Sequence, residues 1–405
     1  MNTRLAFQPR RAASWLALGA AIATLAGCAA TGTAVPAPDA YVRSTPENVF
    51  QGSFPIDRKP VVTVKSGAVV KMDTISHQGA TTPGVNPVTF FGQLGVKPQE
   101  VLPDAVAYWK SMAASGKTPS AAHILTGPVY VEGAEPGDTL EVDILDYQTR
   151  VPYGINVTTP VSGVFLPAYP GHRPGDKPPA IPVAPAGSPG GLYPNVHQHL
   201  IRTGTNAAGK EVAFIADGIE VPLQMFAGTM GLAPQTGVFV GETPTSPPPP
   251  TGMQVTTFPG RFGGNMDNRD LTIGARLYLP VFQKGGQFYV GDTHGVQGDG
   301  EVSGTALEQS LTATYRFVLH KGKKIEWPRA EDDRYWILMG IDHDLNRAMK
   351  IAVEQVIDFL VKEKGMTPAN AYSLASVGVN FVNSEVVDRT QVVSGKIPKS
   401  LFLKK

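Results

Sequence analysis

The chain has 405 residues, a formal net charge of +1 and 42% hydrophobic residues. This length supplies enough apolar material for a sizeable core, and the near-neutral charge gives no basis for a nucleic-acid partner. The 44 glycines and 36 prolines are typical of a turn-rich chain built from many short strands. Because Cys28 is the one cysteine, the chain can form neither an intrachain disulfide nor a cysteine metal site.

The first 27 residues have the pattern of a secretory signal peptide. Several arginines precede an apolar run, Trp15–Leu25, which is too short to remain as a membrane-spanning helix. The tetrapeptide that ends at Cys28 resembles a bacterial lipoprotein cleavage site. It predicts lipidation of Cys28 and a location in the cell envelope or periplasm, with the lipid as the only membrane contact. An ordinary secretory signal is the alternative, and the Arg10-Arg11 pair leaves the general and twin-arginine export routes open.

Residues 28–46 are small, polar and proline-containing, and they predict a flexible tether. Residues 47–405 are predicted to form the folded, functional region, β-rich to about residue 340. Within it, Val61–Ser76 alternates around a Ser-Gly turn and predicts a hairpin, and Pro98–Ala114 predicts a helix. Further strands are predicted at Val129–Val151 (two strands joined by a turn at 136–138), Arg276–Val281, Gln287–Val290 and Gln309–Val318. Two proline-rich loops are predicted at Gly163–Pro194 and Gly241–Gly252.

Residues 341–405 change character. An apolar stripe predicts a helix that ends before Gly365, and Thr367-Pro368 predicts the start of a second helix that runs through Ala375. A last strand is predicted in VNFVNSEVVD, residues 379–388. The stripe residues are Leu345, Met349, Ala352, Val356 and Leu360. The predicted fold class is therefore mainly β with an α/β C-terminal part.

The segment Gly263–Glu308 concentrates polar residues among glycines. Two-residue spacing places side chains on one face of a strand, and three pairs have this spacing. A face rich in oxygen and nitrogen suits a divalent metal or a small polar substrate. The alternative is that the aspartates are turn residues bonded to their own backbone. The pairs are Asn265/Asp267, Asp292/His294 and Asp299/Glu301, with Gln297 between the last two.

Four sequence blocks are similar to the acetamidase/formamidase family. They are GGNMD (263–267), GDTHGVQGDGEV (291–302), HILTGPVYVEGAEPGDTLEVDILD (123–146) and PLQMFAGTMGLAP (222–234). The resemblance extends from about Pro60 to Phe402. It implies β-sandwich or barrel-like domains with an appended α/β part, hydrolysis of short amides, and a homodimer or larger assembly.

Metal-assisted hydrolysis assigns roles to these residues. A metal polarises the amide carbonyl and lowers the pKa of water, while a carboxylate acts as base. The expected metal ligands are His294, Asp292, Asp267 and Asp299; the catalytic residues are Glu301 (base or further ligand), His123 and Asn265; and Gln297, Gly264 and Met230 contact the substrate. The divalent metal is expected to be zinc, with calcium or manganese as alternatives. His77 is expected to resemble His123, as a residue that lines the site or supports it. His197 and His199 are expected to be a structural pair.

These observations predict an exported, metal-dependent amidohydrolase that cleaves small non-peptide carboxamides to carboxylate and ammonia. Two departures from the family pattern, Thr293 and Asn380, leave the substrate open. A non-catalytic ligand-binding envelope lipoprotein of the same fold and a lactam-opening hydrolase are the alternatives.

Overall fold

The computed structural model describes residues 35–82, 84–116, 123–158, 163–166, 169, 171–176, 196–235 and 254–403. The predicted signal peptide and Cys28 lie outside these residues, as do most of the Gly163–Pro194 loop and the whole of the Gly241–Gly252 loop.

The strands and helices, in chain order, have the following bounds. The strands are β1 (Ala40–Val42), β2 (Val49–Gln51), β3 (Ser53–Phe54), β4 (Val62–Val64), β5 (Val69–Asp73), β6 (Ile124–Val131), β7 (Thr139–Thr149), β8 (Tyr153–Thr158), β9 (His197–Thr205), β10 (Glu211–Ala216), β11 (Ile219–Pro222), β12 (Phe226–Gly231), β13 (Gln254–Val255), β14 (Gly263–Asn265), β15 (Arg276–Pro280), β16 (Phe288–His294), β17 (Leu311–His320), β18 (Arg329–Glu331), β19 (Tyr335–Asp342), β20 (Asn380–Glu385) and β21 (Gln391–Pro398). The α-helices are α1 (Pro87–Gln93), α2 (Pro103–Ala114), α3 (Leu345–Lys364) and α4 (Pro368–Gly378), and short 3-10 turns occur at Pro98–Glu100, Gly163–Phe165 and Lys399–Leu401.

Two large sheets form the centre of the fold. One has the order β1-β5-β17-β7-β15-β18-β19-β21-β20, and the other has the order β14-β12-β16-β6-β2 with β4 added beside β6. Their inner faces share one hydrophobic core. Phe288 of the second sheet, for example, lies 5.1 Å from Phe317 and 5.5 Å from Tyr315 of the first, measured between ring centroids. The arrangement is a β-sandwich, as predicted.

A smaller sheet, β11-β10-β9-β8, lies beside the sandwich. Glu308 links it to β16, because its backbone bridges both Ile155 in β8 and His294 in β16. Strands β3 and β13 form a separate pair. Helices α1 and α2 pack with Ile124, Tyr153 and neighbouring residues in a second core. The short bridge at Glu308 therefore brings the smaller sheet against the central part of the six-stranded sheet.

Helices α3 and α4 form a layer on β19 and β21. Asp344 caps α3 by accepting a hydrogen bond from the Arg347 amide, and Gly365 ends it in the left-handed conformation. Thr367 caps α4 in the same way. The end of α3 at Gly365 and the start of α4 at Thr367 agree with prediction, whereas α3 begins after the expected Asp342 and α4 continues past Ala375 to Gly378. The buried stripe of α3 is rotated from the predicted one, since Leu345 and Met349 are each 37% exposed. The residues that face the sheet are Ala348, Ala352, Val356, Phe359 and Leu360.

Three predictions of local organisation are wrong. Strands β4 and β5 form no hairpin, since β4 pairs with β6 and β5 pairs with β1 and β17 in the other sheet. Alternation identified the strands, but it carries no information on which strands pair. The tether is shorter than residues 28–46, because β1 already pairs with β5. Finally, β20 is not the last strand: β21 follows it and lies between β19 and β20.

Candidate active site

Three histidines and several carboxylates meet where the six-stranded sheet faces the smaller one. Asp292 and His294 end β16, Asp267 follows β14, and His123 directly precedes β6. Loops supply the remaining residues. The strands that carry Asp292, His294 and His123 or precede Asp267 are brought together by the order of strands in the sheet. We call this set the histidine–carboxylate cluster. Its members are His77, His123, Asp267, Asp292, His294, Glu301 and Glu308.

Asp292 lies at the centre of the cluster and faces all three histidines. Its Oδ1 is 3.5 Å from His77 Nδ1, and its Oδ2 is 3.7 Å from His123 Nε2 and 3.5 Å from His294 Nε2. Glu308 Oε1 lies 3.4 Å from the same nitrogen of His294. These separations exceed the 2.7–2.9 Å that is typical of a charge-assisted hydrogen bond.

Several of these atoms are buried and unpaired. His294 is fully buried, and neither of its ring nitrogens has a hydrogen-bond partner among the described residues; the same holds for Asp292 Oδ1, Asp267 Oδ1 and Glu308 Oε2. A buried polar atom without a partner costs about 1–3 kcal/mol. So many orphaned ligand atoms in one place indicate that a further group completes the cluster.

A divalent cation fits this position. Two atoms that bind one zinc ion at about 2.0–2.2 Å in tetrahedral geometry lie roughly 3.4 Å apart. His294 Nε2 lies at about this separation from Asp292 Oδ2 and from Glu308 Oε1, at 3.5 Å and 3.4 Å. A cation would also relieve the repulsion between the converging carboxylates. Mixed imidazole and carboxylate donors suit zinc and manganese.

A second, purely carboxylate group adjoins the first. Oxygens of Asp267, Glu301 and Asp388 lie within 4.8 Å of one another. Asn265 holds two of them, since its Nδ2 donates to Asp267 Oδ2 and to Asp388 Oδ2, each at 2.6 Å. The hydroxyl of Thr229 donates to the remaining amide oxygen of Asn265. Asn265 is therefore a positioning residue whose amide is fully used.

Gln297 is held in a similar way, but with one atom left over. Its Nε2 donates to the backbone oxygens of Asp267 and Ser384. Its Oε1 is buried and has no partner among the described residues. An amide N–H of a substrate could donate to this oxygen.

The backbone at the cluster is strained. Asp267, Asp292 and Glu301 have φ of +41°, +49° and +46°. Non-glycine residues in this left-handed region cost about 1–2 kcal/mol each. Gly228 leaves the room that Asp267 needs, because a Cβ at residue 228 would lie 2.2 Å from Asp267 Oδ1. Strain of this kind concentrates at functional sites.

Burial and neighbouring charges shift the pKa values of the acid groups at the cluster in opposite directions. Burial raises the pKa of Glu301 well above the usual range, and the neighbouring Asp267 carboxylate raises it further. Burial acts in the same direction on Asp292, but the adjacent His123 and His294 outweigh it and hold the pKa of Asp292 well below the usual range. Burial and Asp292 raise the pKa of Asp388 to about 7. Neighbouring carboxyl groups with opposed shifts are typical of acid–base sites.

Three predicted site residues lie outside the cluster. Asp299 is exposed in the turn before Glu301, so the structure does not support it as a ligand. Met230 packs in the sandwich core, and it is Gly228, two residues earlier on β12, that abuts Asp267 and His294. Gly264 packs against Phe262, where a Cβ would lie 2.9 Å from the ring, and does not face the cluster.

The other predicted residues come together: Asp267, Asp292, His294, Glu301 and His123 are in the cluster, and Asn265 and Gln297 hold it. His123 faces Asp292, which favours a ligand position over a base. Metal binding itself stays a prediction. His197 and His199 form a pair on β9, with ring centroids 5.7 Å apart, outside the cluster.

Sequence reasoning missed Glu308, Asp388 and Glu385. Glu308 opens the polar run Glu308-Gln309-Ser310 just before β17, which is unusual at a buried strand start and was the available signal. Glu385 is fully buried and accepts hydrogen bonds from the Val387 and Asp388 amides, which shapes the turn that presents Asp388. No local signal distinguishes Asp388, because only the placement of this turn brings it to Asn265.

A cavity of about 730 Å³ adjoins the cluster. Glu301 belongs to both, and Gln297, which is bonded to the Asp267 backbone, also lines the cavity, so the cavity leads to the cluster. Strands β9–β11 form one wall and residues 296–307 form the other.

Within the described ranges, no helix combines the length and apolar character needed to cross a bilayer.

Comparison with known proteins agrees with the fold. The model of the acetamidase/formamidase family matches residues 117–240 and 251–404, which is more than half of the chain. The formamidase of Methylophilus methylotrophus is 32% identical over 206 residues, 45% of this chain and 47% of that protein. The acetamidase of Mycolicibacterium smegmatis is 32% identical over 214 residues, 45% of this chain and 49% of that protein. The chain thus matches about half the length of these relatives.

A solved structure extends the likeness in fold to most of the chain. The crystal structure of an acetamidase from Yersinia enterocolitica superposes with a TM-score of 0.67 and 24% identity, covering 91% of this chain and 94% of that one. Together with the family match, this leads to one conclusion: the chain belongs to the acetamidase/formamidase family.

Proposed function

We propose that the protein is a metal-dependent amidohydrolase that cleaves carboxamides to carboxylate and ammonia. The observation that carries this proposal is the set of buried, unpaired donor atoms around Asp292 and His294, at ligand-to-ligand separations and beside a cavity. Membership of the acetamidase/formamidase family and the formamidase and acetamidase relatives support the choice of an amide as substrate.

The residues divide into holders of the metal and residues that handle the amide. Asp267, Asp292 and His294 would hold a divalent cation, since their donor atoms lie within 4.8 Å of one another, and His77 and His123 form a second such group with Asp292. Bound there, a divalent cation such as zinc would supply polarisation of the amide carbonyl and a lower pKa for water. Gln297 Oε1 accepts from the amide N–H and orients the substrate. Glu301, between the cluster and the cavity, takes the proton from the attacking water and passes it to the departing nitrogen.

The cellular setting is part of the same proposal. We propose that the protein is exported to the cell envelope and anchored through lipidated Cys28, which the lipoprotein-type signal supports, and that it forms a homodimer or larger assembly, which the family resemblance supports. The partner is a small amide, with no role for nucleic acid. In this setting the enzyme would hydrolyse amides that are present outside the cytoplasm.

Ammonia release by the purified protein tests the proposal. Formamide, acetamide and propionamide are offered before and after chelator treatment and after return of zinc, manganese or calcium, with bound metal measured in each sample; opening of a γ-lactam is followed in parallel. We expect turnover that is lost with the metal and restored by one of the ions. Stoichiometric metal without turnover of any amide would overturn the amidase proposal and favour a binding protein. Turnover that is indifferent to the chelator would overturn metal dependence.

A further inference from the structure

The cavity next to the cluster is much larger than the amides named above. Acetamide has four non-hydrogen atoms, roughly 120 Å³ when each is given the volume share of a water molecule, about 30 Å³. The cavity measures about 730 Å³. It falls within the range of about 300–1,000 Å³ that is typical of sites for ligands of drug size. An amide as small as acetamide would leave most of this space to water.

The walls of the cavity are mainly apolar. Side chains from the smaller sheet line one side and side chains from the 296–307 segment line the other, and Val302 at the edge is 59% exposed. The apolar lining residues are Ile201, Ile215, Val221, Leu223, Val296 and Leu307. Water gains little from contact with such walls, whereas an apolar group gains by leaving bulk water.

Polar residues occur on both walls of the cavity, among them His199 on β9 and Asp299 and Thr305 in the 296–307 segment. Gln297 and Glu301 stand at the cluster end. Arg269 also lines the cavity, but its Nη2 donates to Gln224 Oε1 at 2.6 Å and the Gln224 amide nitrogen donates back to the Arg269 backbone oxygen, so the two form a closed pair. The cavity thus combines two polar residues next to the cluster, Gln297 and Glu301, with walls whose larger part is apolar.

We propose that the substrate is an amide that carries a medium-sized apolar substituent, which occupies this cavity while the amide group lies at the histidine–carboxylate cluster. This inference rests on the proposed amidase function and specifies its substrate class. The substituent belongs to the acyl side or to the nitrogen, and the experiment separates the two.

Catalytic efficiency across a chain-length series tests the inference. The kcat/KM of the metal-loaded enzyme is measured for acetamide, butyramide and hexanamide, and for N-butylacetamide as the nitrogen-side arm. Burying a methylene group corresponds to about a fourfold gain in binding, so we expect kcat/KM to rise two- to fourfold per added methylene in one of the two arms. A flat or falling series in both arms would overturn the inference and leave the amidase proposal intact.

A pair of variants on one strand locates the effect. Val221 lines the cavity, and Glu220, its neighbour on β11, is exposed and does not. Val221→Trp should cancel most of the gain for the long substrate, at least about tenfold in kcat/KM, and leave acetamide within about threefold. Glu220→Trp, the matched control, should leave both substrates unchanged. Equal losses on both substrates in Val221→Trp, with the fold intact by circular dichroism, would contradict the assignment of the cavity.

Binding decides the inference if no amide is turned over. Calorimetry with hexanamide and acetamide should then show tighter binding of hexanamide that Val221→Trp removes. In that case the amidase proposal would have failed, and the binding measurement would still test the cavity proposal on its own. Equal affinity for both ligands would overturn it.

Discussion

Helix α3 begins at an aspartate cap and ends at a left-handed glycine, so its termini carry the residues that local rules favour. At the histidine–carboxylate cluster the local rules are broken. Three non-glycine residues adopt positive φ, and buried nitrogen and oxygen atoms lack partners among the described residues. The helical layer is thus built for stability, whereas the cluster gives up stability to keep donor atoms available.

The largest effect is expected at the histidine–carboxylate cluster. His294→Ala removes the ring whose Nε2 faces both Asp292 and Glu308. We expect kcat/KM for the preferred amide to fall about 10³-fold, with loss of bound metal and an unchanged circular dichroism spectrum. His197→Ala is the control, since His197 lies on β9 outside the cluster, and it should change kcat/KM by less than about threefold. Activity that survives His294→Ala would refute the site assignment.

An intermediate effect is expected in the helical layer, and on stability alone. Helix α3 lies directly on the backbone of Gly340, where a Cβ would be 2.2 Å from the Ala348 oxygen. Gly340→Ala should lower the free energy of unfolding in urea by about 2–3 kcal/mol, because backbone must move to admit the methyl group. Gly92→Ala in α1 is the control, since nothing lies within 4 Å of its added Cβ. It should stay within about 1 kcal/mol of the parent, on the stabilising side. An equal loss in both variants would argue against close packing at Gly340.

The smallest expected effect tests a single cap. Asp344→Ala removes the acceptor for the Arg347 amide at 2.9 Å and should cost about 1 kcal/mol of unfolding free energy. Asp344→Asn keeps an acceptor in place and should cost only a few tenths of a kcal/mol. Neither change should alter kcat/KM, because the cap is in the helical layer. A loss of activity in either variant would mean that the two regions are coupled.

The sequence predicted the elements better than their pairing. The start of α4 at Thr367 and the end of α3 at Gly365 follow from capping chemistry, which acts within a few residues. Strands β4 and β5 were recognised, but their partners were not, because each joins a different sheet. The rotated stripe of α3 has the same origin. Several apolar faces are available on this helix, and Gly340 on β19 admits only the one with Ala348 and Ala352.

The candidate site divides along the same line. Asp267, Asp292, His294 and Glu301 were found because they crowd into one glycine-rich stretch and match family blocks. Within that stretch, spacing placed Asp299 with Glu301 on one face, although both lie in a loop where period-two alternation does not apply. Asp388 was missed because nothing in its neighbouring residues distinguishes it from an ordinary turn acid, whereas the polar run that Glu308 opens was a signal that strand periodicity did not use.

The sequence alone was sufficient for the β-rich class, the end of α3, the start of α4, the family, and most of the residues at the cluster. These depend on local chemistry or on long contiguous motifs. Only the tertiary structure decided the partners of each strand, the exclusion of Asp299, and the inclusion of Glu308 and Asp388. It also decided the apolar cavity, whose walls come from β9–β11 and the 296–307 segment. The reason is that contacts between distant segments are set by sheet order and packing, which no local pattern encodes.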